Sequence, residues 1–455
     1  MTTDDDEADR FSARARRYAN LGVSAGALAA RIGARRLIGG DRSDEGRALA
    51  GALGALKGPM MKVAQMMATV PDALPADYAD AMIRLQSQAP PMGPAFARRR
   101  MQAELGPDWR ARFAEFDPVP AAAASLGQVH RAKSLSGVAL ACKLQYPDMA
   151  SAVEVDLSQL DLIFSLHRRL GPTIDTREVA EEIRARIREE LDYVREAKLA
   201  RLFRLMLADR PRVRAPEPFA ELSTRRLLTM EWLEGEPLTA FVRAAAPARN
   251  AIALMLFEAW WRPFLRFGVI HGDAHLGNYS VVAQGEGEAR AIEGVNLFDF
   301  GCVRVFPPAF VGGVVELYRA LLAGDEARVV RAYEALGFAR LSRAAIGALN
   351  LWARFLCGPV MDDRARTVAD GIEPGEYGRR ELATVTRALR EDGGGLKAPG
   401  EFVFMDRAVV GLGAAFLRLG AELNFHRLFE ETIDGFDVGA LARRQAEALA
   451  RADLA

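Results

Sequence analysis

Three oxygen-bearing side chains stand at chemically useful spacing late in the chain. Asp273 and Asn278 are five residues apart in HGDAHLGN, residues 271–278, and Asp299 follows in LFDFG. One carboxylate can orient or deprotonate an attacking group, while an amide oxygen and a second carboxylate ligate a divalent cation. Together these suit transfer of a phosphoryl group from a nucleotide. Magnesium favours such oxygen ligands when phosphates complete its shell. The same chemistry requires a cation on the phosphates, an anion to hold that cation, and a cover over the nucleotide.

Each part has a candidate, in order. The step from Asp273 to Asn278 has the spacing of H-R-D-x-x-x-x-N, and Asp299 stands in D-F-G. Asp273 is then the catalytic carboxylate, and Asn278 and Asp299 are the metal ligands. His271 reads as a hydrogen-bonded scaffold residue, and His275 as either a loop brace or a substrate contact. Lys143 follows Ala141-Cys142 on an expected strand, where the small Ala141 leaves room for a flat adenine ring. A solvated strand lysine is the bland alternative. In EELDYVREA, Asp192 and Glu196 read as a like-charge pair four apart on one helix face, unfavourable unless a cation lies nearby. Lys143 is the candidate cation and Glu196 its partner; the alternative is that both acids neutralise Arg184, Arg188 and Arg195 on their own helix. The cover is AAAASLGQV. It fits G-x-G-x-x-G-x-V if Ala122 and Ala124 replace the first two glycines, Ser125 follows, and Gly127 and Val129 close it. A Cβ at the first two positions restricts positive φ and holds the backbone further from the phosphates.

The elements that must position these groups are legible in outline. From Asp44 to Ala68 the pattern is helical, with a break at Gly58-Pro59 before PMMKVAQMMA, and PADYADAMIRLQSQ continues as helix. SLGQVHRA and GVALACKLQ read as a hairpin, with Val138, Leu140, Cys142 and Leu144 on one face and Ala139, Ala141 and Lys143 on the other. A long helix is expected from Thr176 to Leu205, capped by Asp175 or Thr176, with Val179, Ile183, Ile187 and Leu191 at four-residue steps. RRLLTMEWLEGEPL reads as a strand running into a link. Beyond it the chain is mostly helical, apart from a strand pair, YSVV and VNLFDFG, around a polar turn. EDGGGLKAPG reads as a late loop and MDRAVVGLGAAFLRLGAEL as a final helical stretch. The expected architecture is α+β, a two-lobed protein-kinase-like fold with a helical extension. Its boundaries are extension 1–115, N-lobe 116–235 and helical C-lobe 236–455. After D-F-G the chain turns helical within several residues, leaving little platform for a peptide substrate.

Composition excludes several classes. With 455 residues and 50% hydrophobic ones, a large core is available and a disordered or fibrous chain is not expected. Sixty basic residues balance 60 acidic ones, so no net field favours nucleic acid or a membrane surface. The Arg- and Ala-rich stretch after the opening DDDEAD reads as a helix docked on the protein rather than on lipid. Cys142, Cys302 and Cys357 form neither a paired framework nor a metal-spaced cluster, which fits a reduced, intracellular setting. The opening acids argue against a secretory signal, and charges interrupt the long apolar runs, so no transmembrane span is expected. A cytoplasmic location with at most peripheral membrane contact follows.

The chain resembles the UbiB family of atypical kinases, also called AarF-domain kinases. The pieces that carry the resemblance run in order from about residue 45 to 305: LKGPMMKVAQMMA, LPADYADAMIRLQSQAPP, AAAASLGQVHRA, ALACKLQYP, EELDYVREA, TMEWLEG, HGDAHLGN and LFDFG. The resemblance implies a protein-kinase-like fold, a KxGQ extension over the active site, an Ala-rich loop, binding of ATP and Mg²⁺ with ATPase activity, and association with isoprenoid quinone synthesis. Partners would be a quinone-type lipid or the enzymes that make it. By position it assigns Lys62 and Gln65 to the extension motif, Glu190 and Asp192 to an ExD motif, Lys143 and Glu196 to the ion pair, and Asp273, Asn278 and Asp299 to catalysis and metal. Through TMEWLEG it adds Glu231 and Leu233 as nucleotide-binding positions. Three departures stand out: Ala64 replaces the motif glycine, and Ala274 and Leu276 replace usual prolines, which predicts a less constrained catalytic loop. Two other readings remain: an ATP-binding regulatory protein that organises partner enzymes without turnover, and a soluble small-molecule kinase of the aminoglycoside or choline type.

Overall fold

The computed structural model describes residues 93–124, 126–146, 149, 188–285, 290–339, 341–370 and 399–454. The chain divides into two compact units, and all of these residues except Met149 lie in the one built from Met92–Pro147, Leu166–Asp175 and Arg188–Ala455. The helices expected between Asp44 and Gln88, with Lys62, Ala64 and Gln65, lie outside the described residues, as do Ser125 and the part of the long helix before Arg188.

Helix α1, Pro94–Leu105, starts with proline at its first position, where a missing N–H costs nothing. It leads into β1 (Phe113–Ala124), β2 (Gly127–Ser134) and β3 (Ala139–Gln145). With β5, Leu227–Glu231, these form an antiparallel sheet of order β1-β2-β3-β5. Alternation sorts β3 as its sequence requires. Leu140, Cys142 and Leu144 pack with Ala97, Met101, Leu105 and Trp109, while Ala141 joins Tyr193, Leu228 and Met230 on the other face. Pro118 and Pro120 are tolerated in β1 because it is an edge strand with register shifts on either side of Pro120.

The long helix is interrupted. Arg188–Glu190 is helical, the chain breaks at Leu191-Asp192, and α2 runs from Tyr193 to Met206. Asp192 is its N-cap, accepting from the backbone N–H groups of Val194 and Arg195, both at 3.1 Å. Asp192 and Glu196 therefore do not share a helix face. A carboxylate satisfying two orphan N–H groups outweighed the continuous apolar period.

A second sheet joins the short β4 (Val213–Arg214) to β9 (Ala291–Leu297), then β8 (Tyr279–Gln284) and β6 (Glu236–Pro237). Strands β7 (Val269–His271) and β10 (Val303–Val305) pair antiparallel. Helix α3, Ala246–Phe267, runs through the main core with Ile252, Leu256, Trp260 and Phe264 each at most 1% exposed, and ends at Gly268 with φ +63°. Around it lie α4 (Pro308–Ala323), α5 (Glu326–Ala335), α6 (Arg343–Cys357), α7 (Gly400–Leu419), α8 (Phe425–Ile433) and α9 (Val438–Arg451). The early start of α4 matches the reading of the segment after Asp299.

Among the described residues, Arg343–Met361 is long and apolar enough to cross a membrane by length and composition alone, with mean hydropathy 1.3. Ala345, Ala348, Leu349 and Ala353 are its buried residues, and a third of the apolar window is buried in all. Trp352 on this helix donates to Asp406 of α7.

Candidate active site

Lys143, Glu196 and Asp299 come together from three elements. The Lys143 ammonium donates to Glu196 Oε1 at 2.7 Å and lies 3.5 Å from Asp299 Oδ1, although 156 positions separate the lysine from Asp299. The side chains of Lys143 and Glu196 are 10% and 3% exposed, that of Asp299 32%. Burial works against the lysine's charge, but the carboxylates of Asp299 and Glu196 together outweigh it and hold the ammonium well above its ordinary pKa. The strand lysine is thus not a solvated one, and Glu196 is committed to it rather than to arginines on its own helix.

Asp299 stands at the start of a short 3-10 turn, Phe300–Cys302, with φ +57°, a left-handed conformation that a residue with a side chain adopts at a cost. Its Oδ1 accepts from Gly301 N at 3.4 Å. Glu190 is 7% exposed and lies beside this turn, where its Oε1 accepts a 3.4 Å hydrogen bond from Cys302 Sγ. Asp192, the second acid of the ExD motif, caps α2 through its Oδ1.

The segment carrying Asp273 and Asn278 is strapped to the Asp299 turn by backbone. His271 pairs with Val303 in β7–β10, Gly272 N donates to Cys302 O at 3.2 Å, and Phe298 N donates to Asn278 O at 2.9 Å. The His271 imidazole is fully buried among Phe203, Trp260, Tyr279 and Phe300, with Nε2 bonded to Phe298 O at 3.1 Å. It is a scaffold residue. His275 is exposed, and its Nδ1 accepts from Gly277 N at 3.1 Å, which braces the loop. Asp273 Oδ1 accepts from His275 N, and Asn278 Nδ2 donates to Asp273 O at 3.4 Å. Ala274 and Leu276 are buried in the main core, so packing supplies the constraint that prolines would otherwise give.

Gly272 was not singled out in the sequence. A Cβ there would lie 2.4 Å from Phe404 Cζ of α7 and 2.3 Å from Cys302 O. Glycine between the His and Asp is therefore a steric requirement, set first by the Cys302 backbone oxygen and reinforced by the Phe404 ring. The only signal in the sequence is the glycine itself, where the kinase motif has arginine.

The alanine cover is a β-hairpin. Ala122 pairs with Val129, Ala123 with Gln128 and Ala124 with Gly127. Extended backbone suits alanine, and neither Ala122 nor Ala124 has positive φ. Gly127 is sterically required: a Cβ would meet Leu144 O at 2.2 Å. Val129 and Ala141 line the face that also carries Lys143, and Leu233 is buried beyond β5. The Glu231 carboxylate engages Arg214 at 3.0 Å and Arg204 at 3.6 Å, and its backbone N–H donates to Glu217 O at 2.8 Å.

The donor set fits a magnesium nucleotide. Asp299 offers a carboxylate and Asn278 an amide oxygen, both hard ligands. A cation held by these two residues would complete its shell from phosphate and water.

A chain with an antiparallel small sheet, a lysine–glutamate pair and a helical lower half has a protein-kinase-like fold, and one solved structure carries that likeness well. The Rv3197–erythromycin complex from Mycobacterium tuberculosis is 27% identical, with TM-score 0.59 over 89% of this chain and 98% of that one. The ABC1 atypical kinase-like domain matches residues 84–333, and the chain belongs to that family. Its curated relatives include the mitochondrial atypical kinase COQ8B of Rattus norvegicus, 27% identical over 425 residues, 90% of this chain and 78% of that one. Mitochondrial COQ8 of Saccharomyces cerevisiae is 28% identical over 257 residues, and the chain spans about half of its length.

Proposed function

We propose that this chain binds magnesium-ATP beneath the β1–β2 hairpin and works as an atypical kinase or ATPase. The observation that carries the reading is the buried contact of Lys143 with both Glu196 and Asp299. Lys143 would bind the phosphates, with Glu196 holding its ammonium in place. Asn278 and Asp299 would hold magnesium, which when bound supplies charge neutralisation along the phosphates. Asp273 would orient the attacking group and take up its proton. Glu190, against the Asp299–Gly301 turn, would fix that turn's position.

The acceptor we favour is a hydrophobic isoprenoid or quinone-type phenol, or water, consistent with the family resemblance and with the short segment between Asp299 and the start of α4 at Pro308. Contact with a membrane would be peripheral. Lys62 and Gln65, in an extension of 1–115 that precedes an N-lobe of 116–235 and a C-lobe of 236–455, would act on the nucleotide. The test is ATP turnover by the purified full chain, with and without quinone-like phenols and anionic vesicles. Turnover should rise with one of these additions and fall about a hundredfold or more in Asp273→Asn. Equal rates in variant and wild type would contradict the assignment. Tight magnesium-ATP binding with no turnover under any condition would favour the regulatory reading.

A further inference from the structure

Tyr193 is the first residue of α2, one turn before Glu196, and nothing above uses its side chain. The Asp192 cap and a 3.3 Å bond from Tyr193 N to Arg225 O fix where the helix begins. The ring is 1% exposed and packs with Ala141, Leu228 and Met230 on the sheet face that carries Lys143. The Lys143 ammonium lies 5.1 Å from its centroid. Among the described residues its hydroxyl has no hydrogen-bond partner. A buried tyrosine hydroxyl ordinarily finds one, and a site that breaks the rule asks for a group not yet in place.

The surroundings say what that group is. The hydroxyl lies against the hairpin cover: a Cβ built on Gly127 would be 3.1 Å from it. Among the described residues the hydroxyl donates to none of the nearby carboxylates: Glu196 accepts from Lys143, Asp299 from Gly301 and Glu190 from Cys302. Burial, opposed by Lys143 and reinforced by Glu196, Asp299 and Glu190, keeps the phenol well above its ordinary pKa, so at neutral pH it is an O–H donor. A donor beside an ammonium and under the cover suits an acceptor that is anionic and rich in oxygen.

We propose that the Tyr193 hydroxyl is a further nucleotide-binding group, donating to a phosphate oxygen of the nucleoside di- or triphosphate that Lys143 binds. The inference rests on the nucleotide reading above and adds a residue that the motif spacing did not single out. Lys143 supplies charge without direction, whereas the hydroxyl supplies a directed bond from the floor of α2. It would be made to the phosphates and not to the nucleoside.

Tyr193→Phe removes the hydroxyl and keeps the ring. Titrations of the full chain with magnesium-ADP, magnesium-ATP and adenosine would be compared with wild type, alongside thermal melting without ligand. Affinity for both phosphorylated ligands should fall about tenfold or more, as for loss of a hydrogen bond to a charged group. Adenosine affinity and the unliganded melting temperature should not fall. Equal magnesium-ADP affinity in variant and wild type would overturn this inference alone. So would parallel losses for adenosine and ADP, which mark a packing role. Absence of magnesium-ATP binding by wild type would overturn the nucleotide reading and this one with it.

Discussion

Lys143 keeps its charge in a place that is nearly dry because two carboxylates stand within 3.5 Å of it. Removing the cation leaves those carboxylates facing each other, and breaking a buried pair from one side costs about 3–5 kcal/mol. Lys143→Met should therefore lower the unfolding free energy by about 3 kcal/mol in denaturant titration, and adding Glu196→Gln should recover part of the loss. A Met variant as stable as wild type would mean that the pair carries no structural weight. The same residues show what a sequence can and cannot disclose. Lys143 and Asp299 are legible because each sits in a motif whose spacing is short. Asp192 was misread because its carboxylate looks the same to a periodic pattern whether it lies on a helix face or caps the helix. Nothing in the periodic pattern marks Tyr193: only its hydroxyl, without a hydrogen-bond partner among the described residues, distinguishes it, and that is a property of packing.

The β1–β2 hairpin and β3 form the element that sets the roof of the site, and at Gly127 there is no room for a side chain against β3. Gly127→Ala would put a Cβ 2.2 Å from a backbone oxygen, which cannot be relieved by turning a side chain. We expect loss of about 1–3 kcal/mol in stability, the range for overpacked sites, and weaker nucleotide binding because the cover is displaced. An alanine variant that melts and binds as wild type would show that the hairpin shifts freely. The β2–β3 pairing was readable from alternation, whereas β1 was not. Its FDPVPAAAA stretch joins two prolines to an alanine run, and pairing with β2 rather than intrinsic preference makes it a strand. Likewise the close contact of Gly272 with Phe404 depends on α7 returning to the catalytic loop, which no local pattern encodes.

Across the whole molecule, stability should carry a pH dependence from outside the catalytic cluster. Burial pushes the Asp406 carboxyl up to about 6, against the opposing bond from Trp352. An unfolded aspartate titrates near 3.9, so the folded state holds this proton more tightly. The contribution is complete below about pH 4 and is lost as pH rises through about 6, on the order of 2 kcal/mol. Asp406→Asn, which can still accept from Trp352, should match wild type near pH 4 and exceed it above pH 7 in denaturant titration. A constant difference across that range would exclude the effect. At this scale the order of elements was legible, since a small sheet precedes a helical region with a strand pair in it. The interruption of the long helix at Leu191-Asp192 was not, because apolar periodicity runs through the break. The central claim is that distant residues converge on one magnesium-nucleotide site. Calorimetric titration of magnesium-ATP into wild type and Asp299→Asn tests it most directly. The account predicts saturable, magnesium-dependent binding in wild type and affinity at least tenfold weaker in the variant; equal, magnesium-independent affinity in both would contradict it.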